Sequence, residues 1–321
     1  MIGEPELNPA QREVVELLGA PESERPRFDA GLRHELRAEL EHELAPLVDQ
    51  LDRDDQLFVS KHKLSQVHGC EARYVAEETE PFAWSVPIAR GTVAHKAIEL
   101  GVSWRGEPVP TELVDESLAR LAQGTDSIGD FLRTCGEADR AELRGQATDR
   151  VTTFFDCFPP LKPVWRPVPE SKVRVELLDA RVVLSGKIDL SIGRANGTTA
   201  GKVLIDLKTG GFAPAHLDDL RFYALLETIK IGTPPRLLAS YYLEEGRPHT
   251  EVVTDGLLHA ALARTVDGVA RMLELRTASR APTKRTGPPC RWCPVLATCP
   301  EGTAWCAGDD PERFETDAPD P

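Results

Sequence analysis

Ser185-Gly186-Lys187-Ile188-Asp189-Leu190 and Ile205-Asp206-Leu207-Lys208-Thr209-Gly210 decide how this chain is read. Both lie in a segment where apolar residues recur at every second position. Lys172–Leu177, Arg181–Leu190 and Lys202–Lys208 are therefore expected to be three successive strands, with turns at Leu178-Asp179-Ala180 and around Asn196-Gly197. In Asp206-Leu207-Lys208 a period of two puts Asp206 and Lys208 on one face and Leu207 on the other. If the last two strands are antiparallel neighbours, Asp189 and Asp206 converge beside a shared edge. Paired carboxylates suit Mg²⁺ or Mn²⁺, and an ammonium beside them can orient a water or offset developing charge in phosphodiester hydrolysis. A single acid at a strand end is ordinarily a turn or cap residue, so the motif gains meaning only from its neighbours.

Outward from these strands the period changes to that of helices. C-terminally, a helix is expected at 215–231, strands at 236–243 and 250–254, and a helix at 256–277. N-terminally, helices are expected at 28–51, from Lys61 or Leu64 to Glu78, at 92–102 and through 111–158, where Pro159, Pro160 and Pro163 break the pattern. The order implies an α/β fold with a mixed sheet carrying helices. Leu32, Leu36, Leu40, Leu44, Leu47 and Leu51 form the apolar stripe of the first of these helices, whose outer face is acidic; it either packs at a domain edge or docks a partner.

At 321 residues the chain has room for one large or two smaller cores, and 41% apolar with 28% charged residues excludes a largely disordered or fibrous chain. A net charge of −14 lacks the global positive field of a passive nucleic-acid coat protein but leaves room for a local basic groove. The start, Met1-Ile2-Gly3-Glu4-Pro5-Glu6, has no targeting character and no apolar run approaches the roughly 18 residues of a membrane span, so a cytoplasmic protein is expected. Seven cysteines, an odd number in such a chain, argue against a disulfide framework. Cys290-x2-Cys293-x5-Cys299, in a Pro-rich segment, can bring three thiolates to one centre, while Cys135 and Cys157 read as small buried hydrophobes.

In this order, Gly91-Thr-Val-Ala-His95-Lys-Ala-Ile-Glu99, Pro169-Glu170, Ser185-Gly-Lys-Ile-Asp189 and Ile205-Asp206-Leu-Lys208-Thr-Gly210 resemble the RecB-family branch of the PD-(D/E)XK nucleases, the AddB-type and CRISPR-adaptation enzymes among them. The resemblance spans about residues 58–300. It implies a restriction-endonuclease-like sheet, a helical N-terminal extension (1–53), a nuclease domain (54–306) and an acidic disordered tail (307–321). His95, Asp189 and Asp206 would hold Mg²⁺ or Mn²⁺, Lys208 would be the catalytic lysine, and Glu170 would support the metal or its water. The family continues with Gln-x-x-x-Tyr on a helix; here Tyr223 matches and Asp219 replaces the glutamine, with Arg221 a candidate phosphate contact.

The pattern Ser60-x3-Leu64-x5-Cys70-x3-Tyr74 is similar to the segment that carries a remote cysteine in iron–sulfur members. Cys70 would then join Cys290, Cys293 and Cys299 around a [4Fe–4S] cluster; four thiolates equally suit zinc on ligand type alone, and Cys306 breaks the expected spacing. The basic run Arg276, Arg280, Lys284, Arg285 and Arg291 beside Trp292 either tracks a DNA backbone, with the indole stacking a base, or is a solvated loop with Trp292 packed on the cluster. The implied activity is cleavage of single-stranded DNA or DNA ends in repair or CRISPR-type processing. With no Gly-x-x-x-x-Gly-Lys-Ser/Thr motif, unwinding would fall to a helicase partner. The rival expectation is a non-catalytic DNA-binding or assembly subunit of a helicase–nuclease complex.

Overall fold

The period-two segment forms the middle of a mixed six-stranded sheet in a computed structural model that describes residues 6–49, 51–52, 55–80 and 82–308. Its strands are β1 (Leu57–Val59), β2 (Val168–Leu177), β3 (Val182–Ile192), β4 (Val203–Lys208), β5 (Leu237–Tyr242) and β6 (Arg247–Val252). The path runs β1-β3-β4-β5-β6, with β2 paired to β3 outside it. β3 and β4 are antiparallel neighbours, as the convergence of Asp189 and Asp206 requires. Two pairings are parallel, β1 with β3 and β4 with β5.

Every residue of β4 and β5 is buried, which explains why these strands read as nearly continuous apolar runs. The β2–β3 hairpin turns through Leu178, Asp179 and Ala180, three successive residues with φ between 51° and 65°. Such left-handed geometry matches the right-handed twist of the flanking strands.

The helices are α1 (Pro9–Leu18), α2 (Leu32–Val48), α3 (Lys61–Gly69), α4 (Glu71–Thr79), α5 (Val86–Val102), α6 (Pro110–Gln123), α7 (Ser127–Thr134), α8 (Glu137–Cys157), α9 (Ala215–Ile231), α10 (Asp255–Arg276) and α11 (Pro300–Gly308). They cover both faces of the sheet and enclose two cores. One joins Leu36, Leu40 and Leu44 of α2 to Leu184, Leu204, Leu225 and Leu262; the other joins Val93, Leu113, Leu143 and Phe154 to Ile205, Leu207 and Tyr241. The leucine stripe of α2 is thus a packing face, set against α9 and α10. β4 feeds both cores by alternation, and Asp206 and Lys208 share the side of Leu204.

Four elements differ from the sequence reading. α1 and β1 were not anticipated: α1 starts with a reciprocal Asn8–Gln11 capping box, and β1 is too short to show a period. α5 begins at Val86 rather than Thr92. The helix expected up to Glu78 is two helices, because Cys70 is extended (φ −129°, ψ 107°) and both ends α3 and starts α4. The expected boundary at 53–54 and the tail from 309 lie outside the described residues; 307–308 close α11.

Next to Cys70, the buried carboxylate of Glu71 ties down the chain beyond α10. It accepts from Arg280 Nη1 and Nη2 (2.6 and 2.8 Å), from the Thr283 amide and from the Thr283 hydroxyl (both 2.8 Å). The Ala72 amide donates to the Thr283 carbonyl at 3.1 Å. Hydrogen bonds from Arg280 hold the Glu71 carboxyl down to about 2, well below its usual 4.5. A carboxyl lowered on folding stabilises the protein fully above its unfolded value, and that contribution is lost as pH falls from about 4.5 toward 2. Glu71→Gln should therefore lower the unfolding free energy at pH 7 by about 2 kcal/mol. Urea unfolding should show the gap to the wild type closing in that acid window; an equal gap at pH 7 and at the acid end would contradict the latch.

Candidate active site

The β3–β4 ladder contains the pairs Ile192–Val203, Ser191–Leu204 and Leu190–Ile205 and stops there. Past that point, side chains replace the backbone pairing. Asp189 Oδ2 accepts the Leu207 amide at 2.7 Å, and the Leu207 carbonyl accepts from His95 Nε2 on α5 at 2.9 Å. A carbonyl can only accept, so Nε2 carries the proton. Nδ1 of His95 then faces Asp189 Oδ1 at 3.5 Å. Two acceptors in that position require a shared proton or a cation between them.

Glu170 arrives from β2. The pairs Pro169–Leu190 and Ser171–Ile188 leave it opposite Asp189, and its φ of 52° is left-handed, a costly conformation for a residue with a Cβ. Ligand atoms of His95, Glu170 and Asp189 all lie within 4.8 Å of one another, and Glu170 is also ion-paired with Lys187. Burial, followed by repulsion from Asp206, raises the Asp189 carboxyl to about 6, while the His95 side opposes the rise.

Asp206 has different company. Lys208 Nζ sits 2.8 Å from its Oδ2 and Lys61 Nζ 2.8 Å from its Oδ1. Burial alone would raise this carboxyl, but the two ammonium groups outweigh it and hold it far below the carboxylate range. Burial would likewise lower the Lys61 ammonium, yet Asp206 keeps it well above its ordinary value. Lys208 also reaches Asp219 Oδ2 at 3.1 Å. Asp219, where the resemblance drawn from the sequence leads one to expect glutamine, is thus paired with the lysine instead of presenting bare charge. Lys61, at the start of α3, belongs to the site and was missed in the sequence. Ser60, which caps that helix through the Lys63 amide, is the one local signal, and it says nothing of the lysine.

Tyr223 is buried in the wall of the site. Its hydroxyl accepts the Lys187 amide at 3.4 Å, and Lys61 lies 5.5 Å from its ring centre. The ring explains Gly186: a Cβ there would fall 2.2 Å from a ring carbon. Arg221, the candidate phosphate contact, is engaged by Glu251 (2.9 and 2.6 Å) and Asp218 (3.0 Å). Arg90 and Arg150 both donate to the Thr209 carbonyl just past Lys208.

The four cysteines Cys70, Cys290, Cys293 and Cys299 come together across the chain and line one small cavity, with Gly302 so close that a Cβ would lie 3.4 Å from Cys299 Sγ and 3.6 Å from Cys290 Sγ. Trp292 is half-buried in the turn Pro288–Trp292 that carries Cys290. In the basic run, Arg276 pairs with Asp55, Arg280 with Glu71 and Glu274, and Lys284 with Glu301, while Arg291 lies over the Trp305 ring. Cys135 and Cys157 are half-buried rather than fully enclosed.

The sequence model of the PD-(D/E)XK nuclease superfamily matches residues 59–300. No curated protein matches the chain. Among solved structures, a protein from Eubacterium rectale named "Putative exonuclease" is 12% identical, over 85% of this chain and 93% of that one, with a TM-score of 0.45. A second, named SSO0001, is 13% identical over 84% and 96% of the two chains, with a TM-score of 0.36.

Gly186→Ala should destabilise the fold by about 1–3 kcal/mol, because the tyrosine ring has to move. Combined with Tyr223→Leu, the loss should be clearly smaller than the sum of the two single losses, the sign of a direct steric contact. Chemical unfolding of the three variants gives the coupling; simple additivity would place the glycine requirement elsewhere.

Proposed function

The chain belongs to the PD-(D/E)XK nuclease superfamily, and from that premise we propose that it is a metal-dependent deoxyribonuclease of the RecB-like branch, hydrolysing phosphodiester bonds in single-stranded DNA or at DNA ends. The mixed sheet with helices on both faces is the restriction-endonuclease-like architecture of the superfamily. The observation that carries the reading is the convergence of His95, Glu170 and Asp189 beside the Asp206–Lys208 pair in one buried corner.

The donor set fits Mg²⁺ or Mn²⁺: two carboxylates, an imidazole whose Nδ1 faces a carboxylate oxygen, and Asp206 on the neighbouring strand. His95, Glu170, Asp189 and Asp206 would hold the ion, and its chemistry when bound is to polarise a phosphoryl oxygen and acidify a water. Around it, the protein's own groups do the rest. Lys208, buried between Asp206 and Asp219, is placed to donate to a phosphate oxygen or to steer the attacking water. Lys61 adds a second positive charge on the same carboxylate, so a phosphate brought to Asp206 meets two cations. Tyr223 closes the wall behind them.

Cys70, Cys290, Cys293 and Cys299 fit a [4Fe–4S] cluster as four converging thiols around one cavity. Such a cluster would fasten the end of α3 to the segment 290–299, a staple within the proposed nuclease domain (54–306). DNA is the substrate in this reading, with a helicase, repair or CRISPR protein supplying any unwinding in the cytoplasm. Among the described residues no helix is long and apolar enough to cross a membrane.

Lys208→Ala and Asp206→Asn should each reduce Mn²⁺-dependent cleavage of end-labelled DNA at least about a hundredfold with the fold intact. Folded protein that binds DNA and never cuts it would instead favour the assembly subunit. Because Asp189 must be ionised to ligate and its carboxyl is raised to about 6, Mn²⁺ affinity should be flat above that pH. Below it, affinity should fall about tenfold per pH unit, as followed by water-proton relaxation; pH-independent binding would remove Asp189 from the ligand set. Cys293→Ser should bleach the visible absorbance of anaerobically purified protein and lower its Tm together. An unchanged spectrum and melting curve would refute the staple.

A further inference from the structure

On the far side of the sheet from Asp206 and Lys208 is a cavity of about 380 Å³ enclosed by α1, the turn Pro163–Trp165, the end of β3 and the start of β4. Ile192 in its wall lies three residues beyond Asp189, and Val203 three before Asp206, about 10 Å along each strand. Both side chains belong to the core that Ile205 and Leu207 share, whereas Asp206 faces the other core. The cavity is therefore separate from the nuclease site, and its reading does not depend on that site.

Four arginines line it: Arg25, Arg166, Arg194 and Arg236. No aspartate or glutamate does, in a chain with 52 acidic residues and a net charge of −14. None of the four makes an ion pair among the described residues. Arg236 is only 8% exposed; its Nη2 donates to the Leu18 carbonyl, and its Nε is buried with no protein partner. Arg25 donates through Nε to the Ala20 carbonyl at 3.2 Å, leaving the rest of its guanidinium near Gly201. Burial and then the closeness of Arg25 push the Arg236 guanidinium down to about 10. Two like charges gathered in a partly dry pocket without a counter-charge are costly unless an anion joins them.

The remaining walls define what that anion carries. Val14, Leu18, Phe158 and Trp165 are apolar or aromatic, and Gly193 and Gly201 present bare backbone. Neither glycine tolerates a side chain, since a Cβ would fall 2.3 and 2.1 Å from a backbone oxygen. The volume lies within the few hundred Å³ typical of small-molecule sites. Forked guanidinium groups match phosphate oxygens in pairs, and four of them suit a dianion better than a lone carboxylate. We propose that this cavity is a binding site for a nucleoside phosphate, its phosphate held by Arg25, Arg194 and Arg236 and its base against Trp165 and Phe158. The ligand is either a free mononucleotide or the terminal nucleotide of a DNA strand.

The test is titration calorimetry of the full chain in EDTA at low salt, where no metal-dependent reaction intervenes. The probes are dAMP, inorganic phosphate and a short 5′-phosphorylated oligothymidylate. The wild type should bind dAMP, and Arg25→Ala and Arg194→Ala should each weaken it about tenfold, as loss of a charge-assisted phosphate contact predicts. Trp165→Ala should weaken dAMP but leave inorganic phosphate unchanged. Arg236→Met tests the buried arginine; because it risks misfolding, the Arg25 and Arg194 variants decide. Arginine-dependent binding tighter for dAMP than for the oligonucleotide assigns the site to a free nucleotide, and the reverse order to a strand end; either supports the site. Folded wild type that binds neither, binding indifferent to both arginine variants, or phosphate binding as tight as dAMP overturns the proposal. Loss of cleavage in Asp206→Asn with dAMP binding retained would leave this inference standing apart from the nuclease reading.

Discussion

The peptide of Leu207 is gripped from both sides, its N–H by Asp189 at 2.7 Å and its C=O by His95 at 2.9 Å. These two bonds take over where the β3–β4 ladder ends. An antiparallel ladder carried further would spend the edges of both strands on each other and leave no room for a ligand. With side chains substituted for backbone, the strands separate while each buried polar group of Leu207 keeps a partner. The same bonds fix the tautomer of His95 and the rotamer of Asp189. The remaining oxygen and nitrogen of this pair are left facing each other.

Charge balance in the corner depends on that separation. Asp189 and Asp206 are too close to ionise independently, and their environments pull them apart: Asp189, buried with one largely buried imidazole beside it, is raised, whereas Asp206 has two ammonium groups and is lowered. Asp219 completes the set by sharing Lys208. Lys208, fully buried, has a carboxylate on either side to offset what burial would cost a lone ammonium. The site is thus assembled as alternating charges, and removing one member unbalances several.

Much of this was legible because the deciding residues lie in short periodic runs. Asp206-Leu207-Lys208 announces its own face by alternation, and the strand and helix expectations from 172 to 277 agree with β2–β6, α9 and α10 apart from ends. What the sequence did not disclose depends on distance along the chain. Lys61 meets Asp206 across 145 positions, and nothing around it marks it among neighbouring lysines and histidines. β1 escaped notice because three residues carry no period, and the break at Cys70 because its extended backbone interrupts an otherwise helical pattern. Parallel pairing of β4 with β5 follows from α9 lying between them, a topological consequence that no local run records.

The break at Cys70 links two regions that otherwise look independent. α3 runs from Lys61, on the Asp206 carboxylate, to Gly69, one residue before the cysteine, a rigid span of about 13 Å. At its far end, Glu71 holds Arg280 and Thr283 and so brings the segment with Cys290, Cys293 and Cys299 against Cys70. A helix of nine residues cannot pivot at one end without carrying the other. The latch therefore does more than anchor a loop: it fixes the axis of α3, and with it the position of the Lys61 ammonium on the Asp206 carboxylate.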